Sequence, residues 1–173
     1  MATARERLAT SLEVLEELQR SGRRVFRTTE LTRIHRERLV ANGFLRWVTP
    51  GWLVSASPAA TLGDSTPWYS AFWEFCARYC EARFGERWWL SAEQSALIHG
   101  GKTAVPEQIV VHAPNGGNNR LKLPFGTDLF DVRDPREPPA IHIEEREGLR
   151  AFAPGPALTR VSASFFRAHP VEA

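Results

Sequence analysis

Cysteine is scarce in this chain, and its only two cysteines, Cys76 and Cys80, stand four residues apart. In a helix they would share one face, where a disulfide between them is poorly compatible with the geometry. A tetrahedral metal site would need two further ligands, and no second pair of His or Cys residues supplies them. The sequence therefore argues against a disulfide scaffold or a metal site, and we expect both cysteines to be small buried residues.

Long apolar runs are also missing. No stretch approaches the length of a membrane span, and the first residues lack the charged and then apolar pattern of a secretory leader. We therefore expect a cytoplasmic protein that has no membrane partner.

Recognisable catalytic motifs are absent as well. The chain has no GxSxG, HExxH, Walker A or dinucleotide-binding fingerprint, and the glycines of 115–119 lack the lysine and following helix of a phosphate loop. The residues that remain as candidates for chemistry are three histidines and a run of acids: His99, His112, His142, Glu144, Glu145 and Glu147. Each has an ordinary interpretation at a strand edge or loop, so we expect no enzymatic activity and no cofactor.

What the sequence does contain is an uneven distribution of charge. Residues 1–55 hold ten Arg and six Glu, a balance of +4, whereas the remainder holds ten Arg and two Lys against fourteen acids, a balance of −2. The composition turns small and polar, with Pro and Gly, between Ser55 and Thr66, which is typical of a linker. We expect domains at 1–56 and 65–173, the first of them binding a polyanion.

The basic domain begins with an amphipathic pattern. Four leucines recur at spacings of four, three and three, on one stripe of a helix predicted over residues 4–20: Leu8, Leu12, Leu15 and Leu18. Residues 23–27 then run extended, as a third strand of a small sheet or as phosphate contacts.

Two short helices and a hairpin are predicted to follow. Thr28 or Thr29 is expected to cap a helix that turns Leu31 and Ile34 inward, and a second helix is expected at about 35–42. Asn42-Gly43 supplies the left-handed residue that commonly closes a helix. Strand-forming residues at 44–48 and 52–54 flank Thr49-Pro50-Gly51, a turn sequence. This order predicts a winged helix-turn-helix whose hairpin is the wing.

Cations and small polar residues crowd this unit. A recognition helix places its N-terminal residues at base edges, and arginine binds either guanine or phosphate with two hydrogen bonds. A solvated helix face is the competing interpretation. The residues we expect to contact double-stranded DNA are Arg27, Thr29, Arg33, His35, Arg36, Arg38, Arg46 and Thr49.

The second domain is predicted to be mixed. A helix from Pro67 to Phe84 is followed by a short strand at Trp88 to Leu90 and a short helix that ends near His99. Strand-like segments then recur between turn residues, around a hairpin tip at 115–119: 108–112, 120–125, 129–133, 141–144 and 149–152. A final helix is expected from Pro156 to Phe166. The fold class is therefore α+β, with an antiparallel-rich sheet.

The helix from Pro67 to Phe84 carries an unusually broad aromatic face. Two interpretations are open for Trp68, Phe72, Trp73 and Phe75: they fill the core of one chain, or they join two chains. A homodimer would place two winged helices on two half-sites of an operator.

Three segments resemble the AbiEi-like family of antitoxins and transcriptional regulators. They are LVANGFLRWVTPGWLV (39–54), WWLSAEQSALIHGG (88–101) and PEQIVVHAP (106–114), in the family's order. The resemblance implies a winged helix-turn-helix followed by a mixed AbiEi-like domain, in an autoregulating repressor of a toxin-antitoxin or phage-defence operon. The implied partners are operator DNA and a cognate toxin.

STPWYSAFWEFC and GTDLFDVR also resemble the region that precedes the Fic domain in some bacterial cell filamentation proteins. A Fic active site has the motif HPFxxGNGR, whereas His169-Pro170 continues here as Val-Glu-Ala. No Fic chemistry therefore carries over. The chain is expected to be either a free-standing regulator or a non-catalytic front part of a longer protein that interacts with a Fic domain.

Overall fold

The structure is a computed structural model that describes residues 3–59, 61 and 63–169. The chain divides into two compact units, Met1–Phe72 and Trp73–Ala173, which we call the first and the second unit. The division falls within a helix, Thr66–Phe84. The fold is mixed α+β with antiparallel-rich sheets, as predicted from the sequence.

The first unit begins with a helix, continues into a hairpin and ends with the first residues of the Thr66–Phe84 helix. Its elements are α1 (Ala4–Gln19), β1 (Val25–Arg27), a 3-10 helix (Thr28–Glu30), α2 (Arg33–Ala41), β2 (Leu45–Thr49) and β3 (Trp52–Ser55). The three strands form an antiparallel sheet in the order β1-β3-β2, in which Phe26 and Trp47 both lie opposite Leu53. The extended segment before the 3-10 helix therefore supplies a third strand.

Apolar side chains of α1, α2 and the three strands meet in one core. Leu15 of α1 and Leu39 of α2 pack with side chains of the sheet, and Leu39 is fully buried. The other buried members of this core are Phe26, Leu31, Leu45 and Leu53. Burial of each such side chain stabilises the fold by ~1.5–3 kcal/mol.

The predicted helix that turns Ile34 inward is wrong in both extent and orientation. Its place is taken by the 3-10 helix, which ends at Glu30, and α2 begins at Arg33 rather than near His35. The physical reason is Thr32, whose extended backbone and hydroxyl, which accepts from the His35 amide at 3.4 Å, make it the N-cap of α2. Ile34 consequently lies in the first turn of α2 and is 64% exposed.

The predicted glycine closure of α2 is confirmed. Asn42 is the C-cap, and Gly43 follows in the left-handed region with φ of +77°. A Cβ at Gly43 would also lie 3.3 Å from the Pro58 Cα, so the space there is tight as well. Only glycine meets both conditions without strain.

The second unit contains three further helices and six strands among the residues described. Its elements are the end of α3 (Thr66–Phe84), β4 (Trp89–Leu90), α4 (Ala92–His99), β5 (Gln108–Ala113), β6 (Asn119–Lys122), β7 (Asp128–Arg133), β8 (Ile143–Arg146), β9 (Leu149–Phe152), α5 (Pro154–Leu158) and α6 (Ala163–Ala168). Short 3-10 helices lie at Pro124–Gly126 and Ala140–His142, where strand residues were predicted.

The larger sheet of this unit has the order β4-β5-β7-β6. β5 and β7 are parallel, and the other two pairs are antiparallel. The prediction of a hairpin tip at 115–119 is therefore wrong, because β7 lies between β5 and β6. Gly116 crosses so close to β7 that a Cβ there would lie 2.6 Å from the Val132 carbonyl oxygen.

The single helix predicted from Pro156 to Phe166 is also wrong. The chain forms two short helices, α5 and α6, separated by residues 159–162. Ser162 has an extended backbone (ψ 159°), so the helix cannot continue through it, and Ser162 is the N-cap of α6. Phe165 is still buried, against Phe152 and Ala157 among others.

Most of the aromatic face of α3 is buried within the chain. Trp68 is 2% exposed, and Phe72 and Phe75 are completely buried. Trp73 is half-buried, and its Nε1 donates to the Thr103 carbonyl oxygen at 2.9 Å. Cys76 and Cys80 are free thiols on the same helix and are also buried. Burial raises the pKa of both thiols, so they stay protonated at neutral pH.

Candidate nucleic-acid interface

The first turn of α2 presents the most exposed side chains of that helix. Arg33, Ile34 and Glu37 face away from Leu39, which anchors the opposite side in the core. The Arg33 Nε donates to the Glu37 Oε1 at 2.7 Å, and the two side chains remain 81% and 59% exposed. The outward face of α2 thus offers one cation, one anion and one branched apolar group.

Two other predicted DNA contacts are directed toward α1 instead. The Arg38 Nη1 donates to the Arg7 carbonyl oxygen at 2.7 Å and to the Ser11 hydroxyl at 2.8 Å. The His35 Nδ1 lies 3.0 Å from the same hydroxyl, and Ser11 is completely buried. Arg38 and His35 therefore hold α2 against α1.

A different set of predicted residues meets at one end of the sheet. The Arg36 Nη1 donates to the Thr28 carbonyl oxygen at 3.2 Å, while the Thr28 amide donates to the Gly51 carbonyl oxygen at 2.9 Å. These bonds bring α2, the 3-10 helix and the hairpin turn together. Thr29 is exposed beside this junction, and Thr49 leads into the turn.

Arg27 and Arg46 occupy different environments on the sheet. The Arg27 guanidinium lies over the Trp52 ring, 5.8 Å from its centroid. Arg27 is exposed and lies near the same junction. Arg46 instead donates to the carbonyl oxygens of Asp64 at 3.1 Å and Thr61 at 3.4 Å. Arg46 therefore fastens the segment that follows β3.

The predicted contacts thus fall into two groups. Arg27, Thr29, Arg36 and Thr49 surround the junction of the 3-10 helix with the turn, and Arg33 lies on the exposed face of α2. His35, Arg38 and Arg46 instead bond to α1 or to the segment that follows β3. Helical periodicity alone does not distinguish these groups, because the partners of the second group come from α1 and from residues 61–64.

Sequence reasoning also missed a cationic cavity beside α1. Arg5, Arg7, Arg38 and Asn42 are among the residues that line a cavity of about 450 Å³. No local sequence pattern predicts this cavity, because the beginning of α1 and the end of α2 line it together. Its guanidinium groups are suited to a phosphate oxygen.

The titratable group with the most distinctive surroundings in the second unit is His112. Its ring stacks on Trp89, with centroids 6.0 Å apart, and its Nδ1 lies 3.7 Å from the Asp134 Oδ2 in the wall of a cavity of about 400 Å³. Burial lowers the pKa of His112, while the charges of Asp134 and Glu93 oppose this shift. The neutral imidazole is therefore favoured.

The other candidates for chemistry have separate partners. The His99 Nε2 lies 2.7 Å from the Phe152 carbonyl oxygen, and the His142 Nδ1 lies 3.4 Å from the Arg160 Nη2. Glu144, Glu145 and Glu147 are exposed. Within the described ranges, no three His, Cys, Asp or Glu side chains are grouped to hold a metal ion.

Comparisons of the chain with protein-family models, with curated proteins and with solved structures gave no match. None of the helices in the described part of the chain combines the length and apolar character needed to cross a bilayer.

Proposed function

We propose that the first unit is a winged helix-turn-helix that binds double-stranded DNA. The support is its order of elements: a helix, a strand, a short helical turn, a second helix and a two-stranded hairpin. In this proposal α2 is the recognition helix, the 3-10 helix takes the place of the helix before it, and β2 and β3 form the wing.

The observation that carries the proposal is the exposed first turn of α2 beside a cationic junction. Arg33 is 81% exposed there, and Arg36 and Arg27 lie at the adjoining end of the sheet. A recognition helix uses its N-terminal residues in the major groove, while flanking cations neutralise phosphates. The balance of +4 over residues 1–55 favours such a polyanionic partner.

We further propose that the protein is a non-catalytic transcriptional regulator of the AbiEi-like antitoxin kind, which represses its own toxin-antitoxin or phage-defence operon. The resemblance of 39–54, 88–101 and 106–114 to that family supports this role. The second unit would then serve assembly or antitoxin action, with a cognate toxin as its partner.

The test is the affinity of the protein for the DNA upstream of its own gene, measured by fluorescence anisotropy against random duplex. Changing Arg33 and Arg36 together to Ala should weaken specific binding by ~1–3 kcal/mol for each base-reading arginine. The logarithm of the binding constant should fall linearly with the logarithm of salt, with a slope of about −0.9 per phosphate contacted.

A matched control changes two exposed arginines of the second unit, Arg146 and Arg167, to Ala. This control has the same net charge as the test variant and should bind the operator like the parent. Equal losses in both variants would indicate nonspecific electrostatics. An unchanged affinity in the Arg33 and Arg36 variant would refute the recognition-helix assignment.

A second candidate function is protein interaction by the second unit, which also fits the resemblance to Fic-associated regions. The specific observation is Phe125, an aromatic residue at φ of 56° that is 44% exposed. Bulky residues rarely adopt this conformation, and such strain is concentrated at functional sites. Phe125→Asn, which suits the left-handed region, should abolish co-purification with the adjacent gene's product if this candidate is correct, and DNA affinity should not change.

A further inference from the structure

Ile34 is the most exposed of the large apolar side chains described in the first unit. It is 64% exposed, compared with 50% for Trp47 and 41% for Tyr69. An isoleucine left in water gives up the stabilisation that burial would provide. Its position therefore contributes little to the folding of this unit.

The position of Ile34 on α2 is distinctive. It is the second residue of the helix, about 140° around the helix axis from the buried Leu39, at roughly 100° per residue. Arg33 and Glu37 flank it with charges of opposite sign and bond to each other, so Ile34 lies as an apolar group between two charged ones. The branched hydrocarbon of Ile34 is thus the chemical feature that distinguishes this face.

We propose that Ile34 recognises thymine by packing on the C5-methyl group of that base in the major groove. This inference rests on the proposed function, since it requires α2 to enter the groove. The thymine methyl is the apolar group of the major-groove code, whereas the other base edges present donors and acceptors. The cations at the neighbouring junction would lie near the phosphates on either side of the major groove, so DNA is the partner that this surface fits.

The contact specifies how the protein discriminates between sequences. Arg33 and Arg36 supply attraction to phosphate or guanine, but a methyl contact separates thymine from cytosine at one position. Removing one methyl group from such a contact reduces affinity by about four-fold. The preferred site should therefore contain at least one thymine whose methyl group is required.

The experiment begins by selecting preferred duplexes from a random pool with the whole protein. Each thymidine of the selected site is then replaced singly by deoxyuridine, which keeps the base pair and removes only the methyl group. We expect one replacement to weaken binding about four-fold. In Ile34→Ala that replacement should have no further effect, whereas Ile34→Val should retain most of the discrimination.

Ile141→Ala is the matched control, because Ile141 is an 85% exposed isoleucine in the second unit. It should discriminate thymine from uracil like the parent. Selected DNA that tolerates deoxyuridine at every position overturns the inference but leaves the proposed function intact. Discrimination that persists in Ile34→Ala also overturns it. Failure to select any sequence overturns the inference and the proposed function together.

Discussion

Arg38 and Arg33 lie five residues apart on α2 and differ in what they contact. The Arg38 guanidinium bonds to a carbonyl oxygen and a buried hydroxyl of α1, while the Arg33 guanidinium bonds to an exposed carboxylate on its own helix. Identical side chains therefore have different consequences when they are removed.

Arg38→Ala should lower the free energy of unfolding by ~1.5–3 kcal/mol, because its hydrogen bonds are charge-assisted and one reaches the buried Ser11. Arg33→Ala should change it by less than about 1 kcal/mol, since exposed ion pairs contribute little. Urea denaturation of both variants provides the measurement. Equal destabilisation by the two changes would contradict the assignment of Arg38 to packing.

Ser95 connects α4 to β9. Its hydroxyl donates to the Ser91 carbonyl oxygen at 2.8 Å and accepts from the buried Phe152 amide at 3.0 Å. Ser95→Ala should cost ~1–3 kcal/mol of stability, because it leaves that amide unsatisfied. Ser164→Ala is an exposed control that should be close to neutral in the same thermal or urea unfolding assay. A neutral Ser95→Ala would mean that the amide finds another acceptor.

At the scale of elements, local chemistry predicted the hairpin strands of the first unit and the turn between them, but it left β1 open and did not predict the start of α2. Thr28, Thr29 and Thr32 are all plausible caps by residue type, and the choice among them depends on where Leu31 is buried. Because Leu31 enters the core from an extended residue, the helix begins afterwards and Ile34 turns outward. Ile34, to which we assign the thymine contact, is therefore a residue that the sequence misplaced.

Strand pairing in the second unit also lay beyond local prediction. Turn residues at 115–119 are typical of a hairpin, yet β5 pairs in parallel with β7. The loop between them is held by Asp131 of β7, whose Oδ1 accepts from the amides of Gly117 and Asn119. Such a contact over more than ten residues leaves no periodic signal in the sequence.

Asp131→Ala should release the loop before β6. The carboxylate is 4% exposed, and its other oxygen lies 2.9 Å from the Arg83 Nη2. We expect hydrogen exchange at the amides of Gly117 and Asn119 to accelerate by at least about ten-fold, since each loses a charged acceptor. Glu144→Ala, on the exposed β8, should leave exchange in this loop unchanged. Unaltered protection after Asp131→Ala would show that the loop is held by other contacts.

For the molecule as a whole, the burial of α3 means that substituting one of its aromatic residues tests the stability of the single chain. Phe72→Ala should destabilise the protein by ~3–5 kcal/mol, as expected for a core phenylalanine. Tyr69→Ala, one turn earlier and 41% exposed, should destabilise it much less. Urea unfolding at several protein concentrations is the measurement. A Phe72→Ala effect that disappears on dilution would restore the interpretation of this face as a joint between chains.

Whole-molecule stability should also decline on mild acidification because of His112. The unfolded chain keeps the ordinary pKa of 6.5, and burial lowers the pKa in the folded chain, so acid favours the unfolded state. This contribution is complete above 6.5 and is lost as the pH falls from there through the folded pKa. His112→Phe keeps a ring against Trp89 and should flatten the decline in the free energy of unfolding between about pH 7 and 5. An identical slope in parent and variant would contradict this role.

The order of strands also determines how the chain can assemble as it leaves the ribosome. All three strands of the first sheet lie between Val25 and Ser55, so that sheet can close early during synthesis. β5 pairs with the earlier β4, but its other edge stays open until β7 has been made, and β6 cannot cover it. Until β7 is available, QIVVHA therefore presents an open strand edge, where another unfolded chain could pair.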